Sequence, residues 1–177
     1  MGQYYIAANI DKMEWLESSM FLKLMESAWI DNEFVRTIEH LIYQEWFGDR
    51  VIWAGDYMDA GRFLPADASK KEKKLTLYDY AQKKFKKRRI MKKVPYYRFL
   101  VNHSKLQYVD KDKVRDNDGW RVHPLPILTA ASNGQGGGDY FAESGQSYVG
   151  TWCGDCIAVA HDPPGQAFQQ IIPDFYE

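Results

Sequence analysis

Two cysteines near the end of the chain have the spacing of a redox or metal-binding motif. They lie in the segment Trp152-Cys153-Gly154-Asp155-Cys156, where two residues separate the thiols. A redox centre of the thioredoxin type places its first cysteine at a helix N-terminus, where the dipole lowers the pKa of the thiol. Here Cys156 leads into Ile-Ala-Val-Ala, which favours a strand. The segment therefore does not predict redox catalysis.

Zinc binding is the second chemistry that these cysteines could perform. Cys153, Cys156 and His161 have ligand-like spacing, and His123 or His103 could supply a fourth ligand. A structural zinc site prefers a second compact pair of ligands, and the sequence contains neither a second CxxC nor an HxxxH motif. We therefore expect no metal and no cofactor.

An internal repeat gives the cysteine segment a structural interpretation. WFGDRVIWAGD at 46–56 aligns with WCGDCIAVAHD at 152–162, so that Trp, Gly, Asp, a β-branched residue, Ala and a final Asp coincide. The first copy has Phe47 and Arg50 where the second has cysteines. Gly48 and Gly154 can adopt a positive φ, and the aspartate after each can accept backbone N–H bonds. We expect two similar Trp-x-Gly-Asp turn-strand units, which could be neighbours in the sheet.

The aspartates of the repeat define an alternative, enzymatic hypothesis. Oxygen ligands suit Mg²⁺, so a metal-dependent phosphohydrolase or nuclease could use clustered carboxylates, with His123 as its base. This hypothesis requires the side chains to converge in space. The candidate carboxylates are Asp49, Asp56, Asp139, Asp155 and Asp162.

A glycine-rich segment is the candidate anion-binding loop. Residues 133–140 read NGQGGGDY, and open backbone N–H groups in such a loop can bind an anion. The segment lacks the Gly-Lys-Ser/Thr ending of a P-loop, and its GxGxxG pattern is incomplete. We expect a connection between two strands that could also bind a small anion. Its glycines are Gly134, Gly136, Gly137 and Gly138.

The distribution of charge predicts an anionic partner. The net charge is −1, but residues 70–93, here called the basic segment, hold 12 of the 23 basic residues and only two acids. The segment carries +10 and the remainder of the chain −11. Cations bind phosphates with release of counterions, and nearby aromatic rings offer stacking faces. The predicted binding residues are Lys83, Lys84, Phe85, Lys86, Lys87, Arg88, Arg89, Lys92 and Lys93.

Hydrophobic periodicity predicts a single α+β domain over residues 1–177, with helices packed on a mainly antiparallel sheet. Helices are expected over 20–29, from a cap at Asp31 or Asn32 onward, and over 75–89. Strands are expected at 3–10, 50–57, 125–131 and 149–160, with a hairpin at 96–101 and 106–110. The chain contains no membrane span and no signal-like start, and its two cysteines indicate a reducing compartment, so we expect a cytoplasmic protein.

Several blocks of the chain resemble one family. These blocks are MGQYYIAANIDK, WFGDRVIWAGDY, VNHSKLQYVDKDKV, WRVHPLPILTA, NGQGGGDY and VGTWCGDCIAVA. In them the chain resembles the uncharacterised "MGQYY" proteins of gut Firmicutes and of their phages and prophages. The resemblance covers most of the chain and implies no catalytic residues, and it implies relatives with other residues at Cys153 and Cys156.

By analogy, the resemblance implies a phage or mobile-element accessory protein that acts on host defence, such as an anti-CRISPR inhibitor. Its partner would be a nucleic acid or a ribonucleoprotein, for example a CRISPR nuclease with its guide RNA. Our expectation is therefore a non-enzymatic binding protein. The alternatives are the metal-dependent enzyme and a structural or oligomeric module.

Overall fold

The computed structural model describes residues 3–18, 23–131 and 148–176. The helices are α1 (Leu24–Ser27), α2 (Glu33–Gln44), α3 (Leu77–Lys84) and α4 (Pro124–Thr129). Three short 3-10 helices lie at Gly61–Phe63, Glu72–Lys74 and Lys111–Lys113. The strands are β1 (Tyr5–Asn9), β2 (Glu14–Leu16), β3 (Val51–Gly55), β4 (Lys86–Lys87), β5 (Phe99–Asn102), β6 (Gln107–Asp110), β7 (Asp116–Asn117), β8 (Trp120–Arg121), β9 (Ala130–Ala131), β10 (Ile157–Ala160) and β11 (Gln169–Gln170).

The predicted α+β class is confirmed, but the strands form two main sheets instead of one. The first sheet has the order β4-β2-β1-β3-β9 and the second the order β10-β5-β6-β11, while β7 and β8 form a separate ribbon. The pairs β1–β2, β1–β3, β5–β6 and β5–β10 are antiparallel, whereas the pairs β2–β4, β3–β9 and β6–β11 are parallel. Both sheets are therefore mixed: the first has two antiparallel and two parallel pairs, and the second has two antiparallel pairs and one parallel pair.

Helix α2 forms because its apolar residues recur on one face. Phe34, Val35, Ile38, Leu41 and Ile42 are all buried, at the spacing of about three to four residues that one helix face requires. Asn32 caps the helix as predicted, because its side-chain oxygen accepts a hydrogen bond of 2.8 Å from the Phe34 amide. The buried face of α2 packs against β10, and α4 packs against β3.

The two halves of the chain repeat the same strand arrangement. In the first half, a hairpin of β1 and β2 is followed by β3, which pairs antiparallel with β1, and by β4, which pairs parallel with β2. In the second half, β5 and β6 form the hairpin, β10 pairs with β5, and β11 pairs with β6. The registers also match, since Asn9 faces Val51 and Asn102 faces Ile157.

Each Trp-x-Gly-Asp segment binds the hairpin of its own half through its aspartate. The Asn9 side-chain amide donates to Asp49, and that of Asn102 donates to Asp155, each over 2.8 Å. The sequence predicted backbone N–H donors for these aspartates, and in the described part of the chain the donors are asparagine side chains. The same asparagines accept from the amides of Lys12 and Lys105, each over 2.9 Å, which orders both hairpin turns.

The tryptophans of the two segments also have equivalent partners. Trp46 Nε1 donates to Glu14 over 2.7 Å, and Trp152 Nε1 donates to Gln107 over 3.1 Å. Both indole rings are fully buried. A buried indole N–H needs an acceptor, and a β-strand residue of the adjacent hairpin supplies it in each half.

The two Trp-x-Gly-Asp segments meet each other at the beginnings of β3 and β10. The Gly48 amide donates to the Ile157 carbonyl, and the Ile157 amide donates to the Asp49 carbonyl, each over 3.0 Å. Arg50 and Cys156, which occupy equivalent positions of the repeat, face each other in an antiparallel bridge. We call these contacts the central junction. Because β3 and β10 belong to different sheets, the segments meet without being neighbours in one sheet.

Some of the predicted elements are wrong in type or extent. Residues 124–129 form α4 where a strand was expected over 125–131, because Pro124 is suited to the first helical turn and an apolar run of this length fits either element. The helix expected over 75–89 ends at Lys84, since the following residues pair with β2. Within 20–29, the described residues form only α1. Within 149–160, only Ile157–Ala160 is a strand.

Substitution of the two glycines of the repeat should lower the free energy of unfolding by different amounts. Gly48 has φ +73°, and no atom lies within 4 Å of the point that a Cβ would occupy, so Gly48→Ala should cost only the strain of a left-handed residue, about 1–2 kcal/mol. Gly154 has φ +79°, and a Cβ there would lie 2.8 Å from the Phe63 ring. Gly154→Ala should therefore lower the free energy of urea-induced unfolding by more than Gly48→Ala. Equal losses would contradict the close approach of Phe63.

Candidate functional site

The cysteines and histidines of the zinc hypothesis do not form a metal site. Within residues 3–18, 23–131 and 148–176, no group of three or more His, Cys, Asp or Glu side chains is arranged to hold a metal ion. Both cysteines are free thiols, and burial raises the pKa of Cys153, which makes its thiolate less available. His103 lies against Phe47 and Phe168, and His161 against Tyr43 and Tyr97.

The aspartates of the enzymatic hypothesis have separate roles. Asp49 and Asp155 bind the hairpins of their own halves, where each also forms an ion pair, with Lys12 over 3.3 Å and with Lys105 over 3.6 Å. Asp56 accepts a hydrogen bond of 3.2 Å from the Tyr4 amide, and burial raises its pKa. No acidic cluster therefore exists in the part of the chain that the structure describes. Asp139 and the glycine-rich loop, with Gly134, Gly136, Gly137 and Gly138, lie outside the described residues.

His123 is enclosed in the protein, so the hypothesis that it is a general base is wrong. Its ring is fully buried, and Nδ1 accepts a hydrogen bond of 3.1 Å from the Leu125 amide as the cap of α4. Nε2 lies 3.2 Å from a Glu39 carboxylate oxygen. Because Nδ1 accepts this hydrogen bond it carries no proton, so the ring is neutral and its Nε2–H donates to Glu39; burial likewise lowers the pKa of His123. Neither nitrogen is open to a substrate.

Glu39 and Lys111 complete a buried charge network that the sequence did not reveal. Both side chains are fully buried, and Lys111 Nζ donates to the same Glu39 oxygen that faces His123. Burial raises the pKa of Glu39, but the opposing effects of Lys111 and His123 are larger together and hold it at about 2. The network connects α2 to the start of α4. The signal in the sequence was the position of Glu39, one turn after Val35 on the buried face of α2.

The basic segment is held against the body of the protein by acidic residues. Arg88 bonds to Glu14 over 2.8 Å and to Glu45 over 2.7 Å, and these bonds raise the pKa of Arg88 and lower that of Glu45. Three lysines of the segment have carboxylate partners as well: Lys84 with Glu72, Lys86 with Glu14, and Lys87 with Glu17. Since Glu14, Glu17 and Glu45 come from outside the segment, its charge of +10 falls locally to +7.

Backbone contacts fix the course of the segment across the surface. The amides of Lys86 and Arg88 donate to carbonyls of Met13 and Trp15, each over 2.8 Å, so β4 extends the first sheet. Further on, the Met91 amide donates to the Thr37 hydroxyl over 2.9 Å. Arg36 then donates to the Val94 carbonyl over 2.7 Å. The segment therefore passes from the edge of the first sheet onto the outer side of α2.

The remaining four predicted cations are free for a partner. Lys83, Arg89, Lys92 and Lys93 are exposed, and in the described ranges none of them is within ion-pair distance of a carboxylate. Lys70, Lys71, Lys73 and Lys74, at the beginning of the segment, are exposed in the same way. The segment thus divides into cations that anchor it and cations that face solvent.

Phe85 is not a stacking group, which corrects the sequence-based prediction. Its side chain is 8% exposed and packs edge-to-face on Tyr80, with ring centroids 5.9 Å apart. Phe85 directly follows α3, where the chain becomes extended, and its ring joins the core beneath the first sheet. Its position between lysines gave it the appearance of a surface aromatic residue.

Comparison with known proteins gave no match. The chain matches no protein-family model, no curated protein and no solved structure. No helix among the described residues is long and apolar enough to cross a membrane. The candidate site consists of the four cations that are exposed and unpaired in the described residues, Lys83, Arg89, Lys92 and Lys93.

The buried network predicts a large loss of stability when Glu39 is neutralised. Glu39→Gln leaves Lys111 buried without a counter-ion and should cost about 3–5 kcal/mol of unfolding free energy, measured with urea. Glu45→Gln removes an exposed partner of Arg88 and should cost at most about 1 kcal/mol. If Glu39→Gln fails to fold, the double change Glu39→Gln with Lys111→Met should restore folding, since no buried charge remains and the amide oxygen at position 39 can still accept from His123. A loss as small as that of the Glu45 control would contradict the network.

The same network predicts a pH dependence. The folded pKa of Glu39, about 2, lies below its ordinary value of 4.5, so its contribution is complete above pH 4.5 and is lost as the pH falls through 2. The difference in unfolding free energy between the wild type and Glu39→Gln should therefore narrow over this range. Urea titrations of both proteins at a series of acidic pH values measure it. A constant difference would contradict the lowered pKa.

Proposed function

We propose that this protein binds nucleic acid, either free or within a nucleoprotein, through four exposed cations in the C-terminal half of the basic segment, Lys83, Arg89, Lys92 and Lys93. The observation that supports this most strongly is the division of the segment into anchored and unpaired cations. Arg88 and its acidic partners hold the segment in place. Lys83, Arg89, Lys92 and Lys93 face solvent without a carboxylate partner in the described residues.

The electrostatics favour a phosphate-rich partner. Unpaired like charges on one surface repel each other, and this repulsion is relieved when a polyanion binds. Each neutralised phosphate also releases a condensed counterion, which contributes favourable entropy. Since β2 and α2 already hold the backbone of the segment, binding does not carry the entropic cost of ordering that backbone.

The resemblance described above supports a more specific version of this proposal. A phage or mobile-element accessory protein would meet nucleoproteins of the host defence, and a CRISPR nuclease with its guide RNA offers exposed phosphates to an inhibitor. In this version the protein acts by binding and not by catalysis, in the cytoplasm. The metal-dependent enzyme is not proposed, because the described aspartates do not converge.

Neutralising the exposed cations should weaken binding and reduce its dependence on salt. The variant changes Lys83, Arg89, Lys92 and Lys93 to Gln. The slope of log K against log salt concentration is negative, and its magnitude should decrease by about 3 in this variant, since each phosphate contact contributes about 0.7–0.9. Fluorescence anisotropy of labelled oligonucleotides over a range of salt concentrations measures this slope.

The matched control changes Lys70, Lys71, Lys73 and Lys74 to Gln. It removes the same charge from the same segment but at its other end, so its slope should change less. Equal effects of the two variants would mean that net charge, and not this site, determines binding. For the nucleoprotein version, pull-down from a host lysate with and without nuclease treatment separates partners held through nucleic acid from partners held through protein.

A further inference from the structure

An aromatic cluster lies on the outer side of α2, close to the basic segment. Its members are Tyr43, Tyr97 and His161, with His40 as a supporting residue, and we call it the aromatic platform. Tyr43 stacks on Tyr97 with ring centroids 4.6 Å apart and planes inclined by 29°. His161 lies 5.0 Å from the Tyr97 ring and 5.5 Å from the Tyr43 ring. Residues far apart in the chain thus bring these rings together.

The aromatic platform has one buried ring, that of Tyr97, and two exposed rings, those of Tyr43 and His161. Tyr97 is 1% exposed, and its hydroxyl lies 2.6 Å from His40 Nδ1, which fixes the orientation of the ring. Tyr43, by contrast, is 41% exposed, and His161 is exposed as well. Core packing therefore explains Tyr97 but not the two rings that rest on it. Exposed rings held in one orientation are what a stacked base requires.

The cations of the basic segment run along the same helix. Arg88 is anchored at Glu45, two residues after Tyr43, and the chain then contacts Thr37 and Arg36 on α2 before it reaches Tyr97. Arg89, Lys92 and Lys93 lie between these anchors and face solvent. The solvent-facing cations and the rings of the aromatic platform therefore belong to segments that contact the same helix.

We propose that the aromatic platform stacks an unpaired base and that the protein prefers single-stranded nucleic acid to duplex. This inference rests on the proposed function, because the cations supply the contacts to phosphates. Bases in a duplex are already stacked and paired, so their faces are closed to Tyr43 and His161. In a single strand every base has an open face, and stacking on an aromatic ring adds to affinity with little dependence on sequence.

The test compares labelled single-stranded DNA, single-stranded RNA and duplex DNA of equal length by fluorescence anisotropy. Single strands should bind the wild type more tightly than the duplex does. Tyr43→Leu keeps an apolar side chain but removes the ring, and it should weaken binding of single strands by roughly five- to 150-fold, with little change for the duplex. Tyr43→Phe should retain the affinity, because the stacking face remains.

Two further variants control for indirect effects. Tyr57 is also 41% exposed, but it follows β3 in a stretch that contacts the start of α3, so Tyr57→Leu should leave binding unchanged. His161→Leu replaces the second exposed ring, which follows β10, and should weaken binding of single strands even if Tyr43→Leu is unstable. Circular dichroism checks the folding of each variant.

The outcomes distinguish the two proposals. If duplex and single strands bind equally, and the ring variants change neither, the platform is not a stacking site, while binding through the cations stands. If no polynucleotide binds and only an acidic protein is captured, the proposed function itself is wrong, and the inference fails with it. Preference between the two single strands identifies DNA or RNA as the partner.

Discussion

The two hydrogen bonds of the central junction are the constraint on which the arrangement of both sheets depends. They join the turn before β3 to the turn before β10, and they require Gly48 to present its amide from a left-handed conformation. From this point the two strands diverge into separate sheets. Each half contributes a helix to the sheet of the other half: α2 packs on β10, and α4 packs on β3. The larger core cluster therefore contains residues of both halves, whereas α3 packs on the first sheet over a second, smaller cluster.

Glu14 connects the first Trp-x-Gly-Asp segment to the basic segment on the surface. One of its oxygens accepts from the buried Trp46 indole and from Arg88, over 2.7 and 2.8 Å. The Trp-x-Gly-Asp segment, the first hairpin and the basic segment therefore share one carboxylate. In the second half Gln107 takes the place of Glu14, and it binds Trp152 without attracting a cation. Glu14 thus helps to position the basic segment through Arg88, and the same oxygen accepts the hydrogen bond of the buried Trp46 indole.

Local features of this fold could be predicted from the sequence, and features set by tertiary contacts could not. The α2 stripe, its Asn32 cap and the hairpin of β5 and β6 depend on residues close together in the chain. The burial of Phe85 and the change from α3 to β4 depend on the edge of β2, about seventy residues earlier. The network of Glu39, Lys111 and His123 joins three distant residues. The position of Glu39 on the buried face of α2 indicates that it is buried, but nothing local in the sequence identifies its partners. For the same reason the aromatic platform was missed, since Tyr43, Tyr97 and His161 are far apart in the chain.

The two halves have equivalent strand arrangements but can carry different residues at equivalent positions. In a symmetric homodimer, two copies of one subunit must present every residue twice, so a basic edge on one subunit implies a second on its mate. Here both halves belong to one polypeptide, and each position can diverge on its own. The outer strand of the first sheet carries Lys86 and Lys87, whereas the equivalent strand of the second sheet carries Gln169 and Gln170. The outer strand of one sheet is therefore basic and its counterpart in the other sheet is uncharged, although both halves share one strand arrangement.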